Sequence, residues 1–228
     1  MRKSRLLASI SHDIRTPLTT INLMADVIRH TADDPALAAR MPELAQSLQT
    51  NALSMADMVS DVLDISAIDS GRVTVHKSEF VLDELIAQER TSLEPMARAK
   101  RLSLDFVSGH PPVRLRTDKV KLARVLRNLM TNAIKFTETG GVSVSIAAAA
   151  GQSVLIEVSD TGIGIAPENL QLIFGEFAQL RASNDDDKRG WGLGLAISRR
   201  LAGMLGGTIT VESLPGRGST FTVHLPGA

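Results

Sequence analysis

The chain has 228 residues, enough for one large domain or two modest ones, and its 43% apolar content supplies an ordinary core. Lys+Arg and Asp+Glu both number 25, so no net field draws it to nucleic acid or anionic lipid, and 3% aromatics make a base-stacking platform a poor reading. With no cysteine, disulfides, thiolate catalysis and Cys-ligated zinc are excluded, and a reducing, cytoplasmic setting is allowed. No run of about 18 apolar residues is present to span a bilayer, and no signal-peptide core follows the basic start Met1–Arg5.

Apolar residues recur at Leu7, Ile10, Ile14, Ile21, Met24 and Ile28, and again at Leu44, Leu48, Met55, Met58, Val62 and Ile65. Pro17 and Asn51 occupy intervening seam positions. Both sets keep a 3.5-residue period, which predicts two helices packing in a coiled-coil manner. Thr31–Pro35 reads as the turn between them, and Pro42 suits the opening of the second helix. Two helices bury little surface, so such a hairpin either pairs with a second copy as a four-helix bundle or packs on the rest of its own chain. The first arrangement is the simpler.

The register places His12 opposite the seam, flanked by Asp13, with Thr16 one turn later on the same face. Pro17 removes a backbone hydrogen bond and should bend the helix. A solvent-facing histidine beside a carboxylate can act as a nucleophile, but a lone surface histidine is usually only that.

Gly71 reads as a helix stop and Val73–Val75 as a short strand. Residues 81–100 have helical spacing with a late break at Pro95. Leu102, Leu104 and Phe106 alternate as a half-buried strand, and Val113 and Leu115 make another. Asp118 can cap a helix reaching about Thr137, with Val120, Leu122, Val125, Leu126, Leu129 and Ile134 on its apolar face. Asn128 and Asn132 interrupt that face one turn apart. Such a pair could help coordinate a hard cation carrying phosphates, or could be two satisfied buried amides.

Strands are expected at Val142–Ala149 and Val154–Ser159. The second runs into Asp160-Thr-Gly162-Ile-Gly164-Ile, where the glycines would let backbone approach a ligand closely. Pro167 should open a helix over Glu168–Phe174. Residues 178–190 lose periodicity and read as a lid-like loop, closing on Gly190-Trp-Gly192-Leu-Gly194 at the start of another helix. A glycine turn opening a helix offers unpaired N–H groups to phosphate, although without a preceding strand it is not the dinucleotide fingerprint. Gly206-Gly207 ends the helix, and a hairpin turning at Pro215–Gly218 closes the chain.

Each glycine pair alone is weak evidence; their order is informative. Ser11–Leu18, Asn128–Thr137, Asp160–Ile165, Ile173–Phe177, Gly190–Leu195 and Gly216–Phe221 resemble, in order and spacing, the phosphoacceptor, asparagine, first glycine, phenylalanine, second glycine and final glycine boxes of the sensor histidine kinases of two-component signalling. The resemblance implies an α + α/β architecture. A phosphotransfer hairpin (residues 1–70) would form a dimeric four-helix bundle, followed by an α/β sandwich ATP-binding domain of the gyrase, chaperone and histidine-kinase type (71–228).

It further implies ATP and Mg²⁺ as cofactors, phosphorylation of His12 with Asp13 orienting or deprotonating it, and Thr16 positioning water for a reverse, phosphatase reaction. Asn132 would ligate the metal, with Asn128 beside it in the catalytic set. Lys135 would lie near the phosphates, Phe136 near the base, and Asp160 on the adenine amino group. Gly162, Gly164, Gly190, Gly192 and Gly194 would line the pocket, with Lys188 or Arg189 reaching phosphate. The implied partners are a second copy of the chain and a response-regulator receiver domain, without nucleic acid and without direct membrane contact from this segment. The implied location is the cytoplasm, as part of a longer sensor. One departure stands out: Trp191 occupies a position the family usually fills with a small residue.

Overall fold

The computed structural model describes residues 17–29, 40–107, 111–148, 153–178 and 191–226, and the chain divides into two units, Met1–Ser66 and Ala67–Ala228. In the first unit, residues 17–29 (α1) are helical and a long helix runs over Met41–Asp69 (α2). Pro42 sits in the first turn of α2, where its missing N–H costs nothing. Met58 and Ile65, both on the expected seam, are the buried residues of α2, and Ile21, Met24 and Ile28 are half-buried. The register of the hairpin was therefore legible. A second apolar row was not: Leu53, Val59 and Leu63 are 60%, 46% and 64% exposed. On an ideal helix they fall within about a third of the circumference. Gly71, at φ +65°, donates to the Ile68 carbonyl at 3.0 Å and stops the chain's helical course as expected.

In the second unit the elements run β1 (Ser78–Val81), α3 (Leu82–Ala99), β2 (Ser103–Val107), β3 (Arg114–Thr117), α4 (Lys119–Phe136), β4 (Gly141–Ala148), β5 (Val154–Asp160), two 3₁₀ turns, α5 (Gly194–Met204), β6 (Thr208–Leu214) and β7 (Gly218–Leu225). β2-β4-β5-β7-β6 form one sheet, parallel only between β2 and β4, and β1 pairs antiparallel with β3 in a separate ladder. Strand residues alternate in burial. Val142, Val144, Ile146, Ile156, Val158, Phe221 and Val223 face inward, under α4 and its neighbours α3 and α5. One sheet face carries helices and the other is polar, which is why the alternation was readable.

Four expectations fail locally. Val73–Val75 is irregular, and the strand falls instead at Ser78–Val81, because Arg114–Thr117 supplies a partner there. Pro95 does not break α3, since buried Leu93 and Ala97 anchor the helix on both sides of it. Val120 is 78% exposed and the inward face of α4 is completed by Met130 and Ala133. Glu168–Phe174 is not one helix but two 3₁₀ turns, Pro167–Asn169 and Leu172–Phe174. The lid-like residues 179–190 lie outside the described residues.

Candidate functional site

The site is built where α4 ends, β5 ends and α5 begins. Asp118 caps α4 as expected, accepting from Lys121 N at 3.1 Å, and three hydrogen bonds from Lys100 Nζ close the other end. That ammonium donates to the carbonyls of Ile134, Lys135 and Thr137 at 2.9, 2.7 and 3.0 Å, where a helix C-terminus leaves acceptors unpaired. Thr137 is fully buried and returns its hydroxyl to Ala133 O at 2.7 Å. A buried carboxylate also holds α4 from the side: Glu89 on α3 accepts from Arg127 Nε at 2.7 Å and Nη2 at 3.0 Å.

Against this fixed helix end lies the turn after β5. Gly162 N donates to Asp160 Oδ1 at 2.8 Å, and Ile163 N donates to Phe136 O at 3.3 Å. A Cβ on Gly162 would collide with Phe136 O, so only glycine lets the two segments touch. Gly164, at φ +70°, leaves no room between itself and the Leu214 carbonyl, and the β6–β7 turn braces the same loop through Gly216 N to Ile163 O at 2.8 Å. Burial pushes the Asp160 carboxyl above its ordinary pKa, and the N–H groups of Gly162 and Ser219 pull it partly back. A half-buried, partly satisfied carboxylate at a strand end suits a neutral donor such as a ring amine. Beside it Phe136 is 37% exposed, with Lys135 Nζ 5.7 Å from its ring centroid. Desolvation, and next the charge of Lys100, lower the Lys135 pKa, so an anion arriving there would relieve both.

The other wall is the start of α5. Its N-cap, Leu193, makes no side-chain cap, so among the described residues no cap side chain takes up the first-turn N–H groups, the groups to which helix starts bind anions. Gly192, at φ +68°, packs against the backbone of Phe177 and Ala178, where a Cβ would come within 2.8 Å of both residues. The two stems flanking residues 179–190 therefore touch. The phenylalanine segment is held from α5 as well: Arg199 stacks at 5.5 Å over Phe174, which meets Phe221 edge-on, and Arg200 pairs with Glu176. Trp191 is half-buried at this stem.

Of the expected site residues, the structure brings together Asn128, Asn132, Lys135, Phe136, Asp160, Gly162 and Gly164 along α4 and the β5 turn, with Gly192 and Gly194 opposite. His12, Asp13, Thr16, Lys188, Arg189 and Gly190 lie outside the described residues. The two asparagines differ. Asn128 Nδ2 donates to Ser198 Oγ at 2.9 Å, while the half-buried Asn132 makes no side-chain hydrogen bond among the described residues. Lys100 and Ser198 escaped the sequence reading. A serine amid Ile197, Leu201 and Ala202 on a buried face was a visible signal for the second; Lys100 offered none.

A half-buried carboxylate and a glycine cradle on one side, facing a helix start whose N-cap side chain makes no cap, fit an amino-bearing base carrying phosphates. Comparison with known proteins agrees. Residues 2–71 match the His Kinase A (phospho-acceptor) domain, and residues 117–228 match the histidine kinase-, DNA gyrase B- and HSP90-like ATPase. The chain is 35% identical over 226 residues to the circadian input-output histidine kinase CikA of Synechococcus elongatus, covering 98% of this chain and 30% of that protein. It is also 35% identical over 225 residues to the sensor histidine kinase RcsC of Escherichia coli, covering 98% and 23%. It thus spans less than a third of the length of these curated relatives.

Among solved structures, full-length ShkA in complex with AMPPNP superposes with a TM-score of 0.74 at 29% identity, covering 98% of this chain and 46% of that one. The histidine kinase ThkA, in complex with the response regulator protein TrrA, shares the fold with a TM-score of 0.77 at 24% identity, covering 98% and 61%. Among the described residues no helix is long and apolar enough to cross a membrane. With a phospho-acceptor domain followed by an ATP-binding α/β domain, the chain belongs to the protein histidine kinases, as the catalytic core of a two-component sensor.

Proposed function

We propose that this core transfers the γ-phosphoryl group of ATP to His12 and then to an aspartate of a response-regulator receiver domain. The observation that carries the nucleotide half is the pairing of a half-buried Asp160, bonded to Gly162 N at 2.8 Å, with a first turn of α5 that its N-cap side chain leaves uncapped. Asp160 accepts the adenine amino group, Phe136 lies along the base, and the α5 N–H groups and Lys135 meet the phosphates. Phosphoryl transfer asks mostly for position and charge neutralisation, which these groups supply. Asn132, whose amide is uncommitted among the described residues, holds Mg²⁺, an ion that neutralises phosphate charge when bound.

In the transfer itself, an imidazole nitrogen of His12 forms a bond to the γ-phosphorus as the bridging P–O bond breaks. ADP leaves, and Asp13 takes the imidazole proton. Thr16 then places water for the reverse, phosphatase reaction. The exposed row Leu53, Val59 and Leu63 on α2 supports a second copy of the chain completing a four-helix bundle, since buried pairing would remove these side chains from water. The need for ATP places the core in the cytoplasm.

The test is incubation of the full chain with Mg²⁺ and ATP radiolabelled at the γ-phosphate. Acid-labile label is expected on wild type and none on His12→Ala. Label persisting in His12→Ala overturns the assignment of the acceptor. Absence of both label and nucleotide binding in wild type overturns the kinase reading, and a monomer at micromolar concentration overturns the bundle.

A further inference from the structure

α4 and α5 lie side by side, and Asn128 makes a polar cross-link between them. Asn128 Nδ2 donates to Ser198 Oγ at 2.9 Å, and Ser198 is 1% exposed. The amide oxygen of the same residue fills the space that a Cβ on Gly194 would take. Asn128 is therefore held against α5 at two points one helical turn apart, Gly194 and Ser198. Gly194 is the first residue of α5, so the amide grips the turn that its N-cap side chain leaves uncapped. Asn132 projects beside Asn128, one turn along α4.

We infer that Ser198 is a positioning residue for the terminal phosphate: by holding Asn128, it sets the spacing between the first turn of α5 and Asn132. The inference rests on the ATP reading above and deepens it. A group spending its amide on Ser198 and its oxygen under Gly194 serves as a spacer between the two walls rather than as a ligand. The base end, built from Asp160, Gly162 and Phe136, is braced separately by Lys100 and the β6–β7 turn. Loosening the spacer should therefore affect the terminal phosphate and spare the base.

The spacing also makes specific demands on Ser198. With 1% exposure, its hydroxyl has no access to water, so Ser198→Ala leaves the Asn128 amide without this acceptor. Ser198→Cys weakens the same bond with little change of volume, because a thiol is a weaker acceptor than a hydroxyl.

Titration calorimetry of the full chain with Mg²⁺ and either AMPPNP or ADP reads this out. Ser198→Ala and Ser198→Cys should each lower AMPPNP affinity about tenfold, the equivalent of ~1.4 kcal/mol, while ADP affinity changes much less. Ser198→Thr, which keeps the hydroxyl, should restore the preference for AMPPNP. Equal loss of both nucleotides in both variants would mean a merely structural role and overturn the inference, as would unaltered AMPPNP binding in both. If Ser198→Ala fails to fold, Ser198→Cys alone decides between these outcomes. Wild type that binds neither nucleotide overturns the ATP reading, and this inference with it; wild type that binds both beside unaltered variants overturns the inference alone.

Discussion

Arg127→Ala should destabilise the ATP-binding domain more than Glu89→Gln does, although both remove the same ion pair. The asymmetry follows from burial: the Glu89 side chain is 6% exposed and the Arg127 side chain 58%. Deleting one partner of a fully buried pair costs about 3–5 kcal/mol, and deleting a surface pair about 0–1. Here only the carboxylate is buried, and it accepts two bonds, of 2.7 and 3.0 Å. Arg127→Ala strands that charge, for a loss of about 2 kcal/mol. Glu89→Gln leaves a neutral amide and frees a guanidinium that solvent already reaches, for about 1 kcal/mol. The pair raises the Arg127 pKa further, so the guanidinium stays charged at every working pH. Urea unfolding of the full chain followed by fluorescence is the assay, because the only tryptophan, Trp191, lies in this domain. A double-mutant cycle isolates the pair. In a thermal scan, 2 kcal/mol corresponds to about 4–8 °C at this chain length. Equal losses for the two variants, or less than about 0.5 kcal/mol for Arg127→Ala, would refute the reasoning by showing that water reaches Glu89.

Asp160 carries a pH signature. Its folded pKa lies above the ordinary 3.8, so the folded domain binds more protons between those two values and loses stability as pH rises through that window. Asp160→Asn should abolish the slope and make the nucleotide-free chain more stable at neutral pH, while weakening ATP binding at least about tenfold; a less stable variant at pH 7 would contradict the burial argument. Gly162→Ala should cost about 1–3 kcal/mol and abolish nucleotide binding, because the new methyl meets the Phe136 carbonyl. Normal binding by that variant would show that the turn can retreat. Lys100→Met should cost about 1–3 kcal/mol through three stranded carbonyls. It should also raise the Lys135 pKa, by removing a neighbouring charge; an unmoved Lys135 titration by NMR would count against that coupling.

Much of this protein is written in local pattern. The seam at Met58 and Ile65, the Asp118 cap, the stop at Gly71 and the alternation of β4 and β5 each reflect a period or a turn geometry confined to a few residues. Those features, with the order of the glycine and asparagine segments, are what the sequence alone determined. The tertiary structure decided whatever depends on partners distant in sequence. β1 settles at Ser78–Val81 because Arg114–Thr117 pairs with it, and α3 passes through Pro95 because Leu93 and Ala97 are buried. Lys100 becomes a cap only when α4 ends beside it, 34 to 37 residues further on. Asn128 and Ser198, 70 residues apart, become one contact for the same reason. A side-chain period records which face is buried, whereas the partner of a buried polar group is chosen by packing.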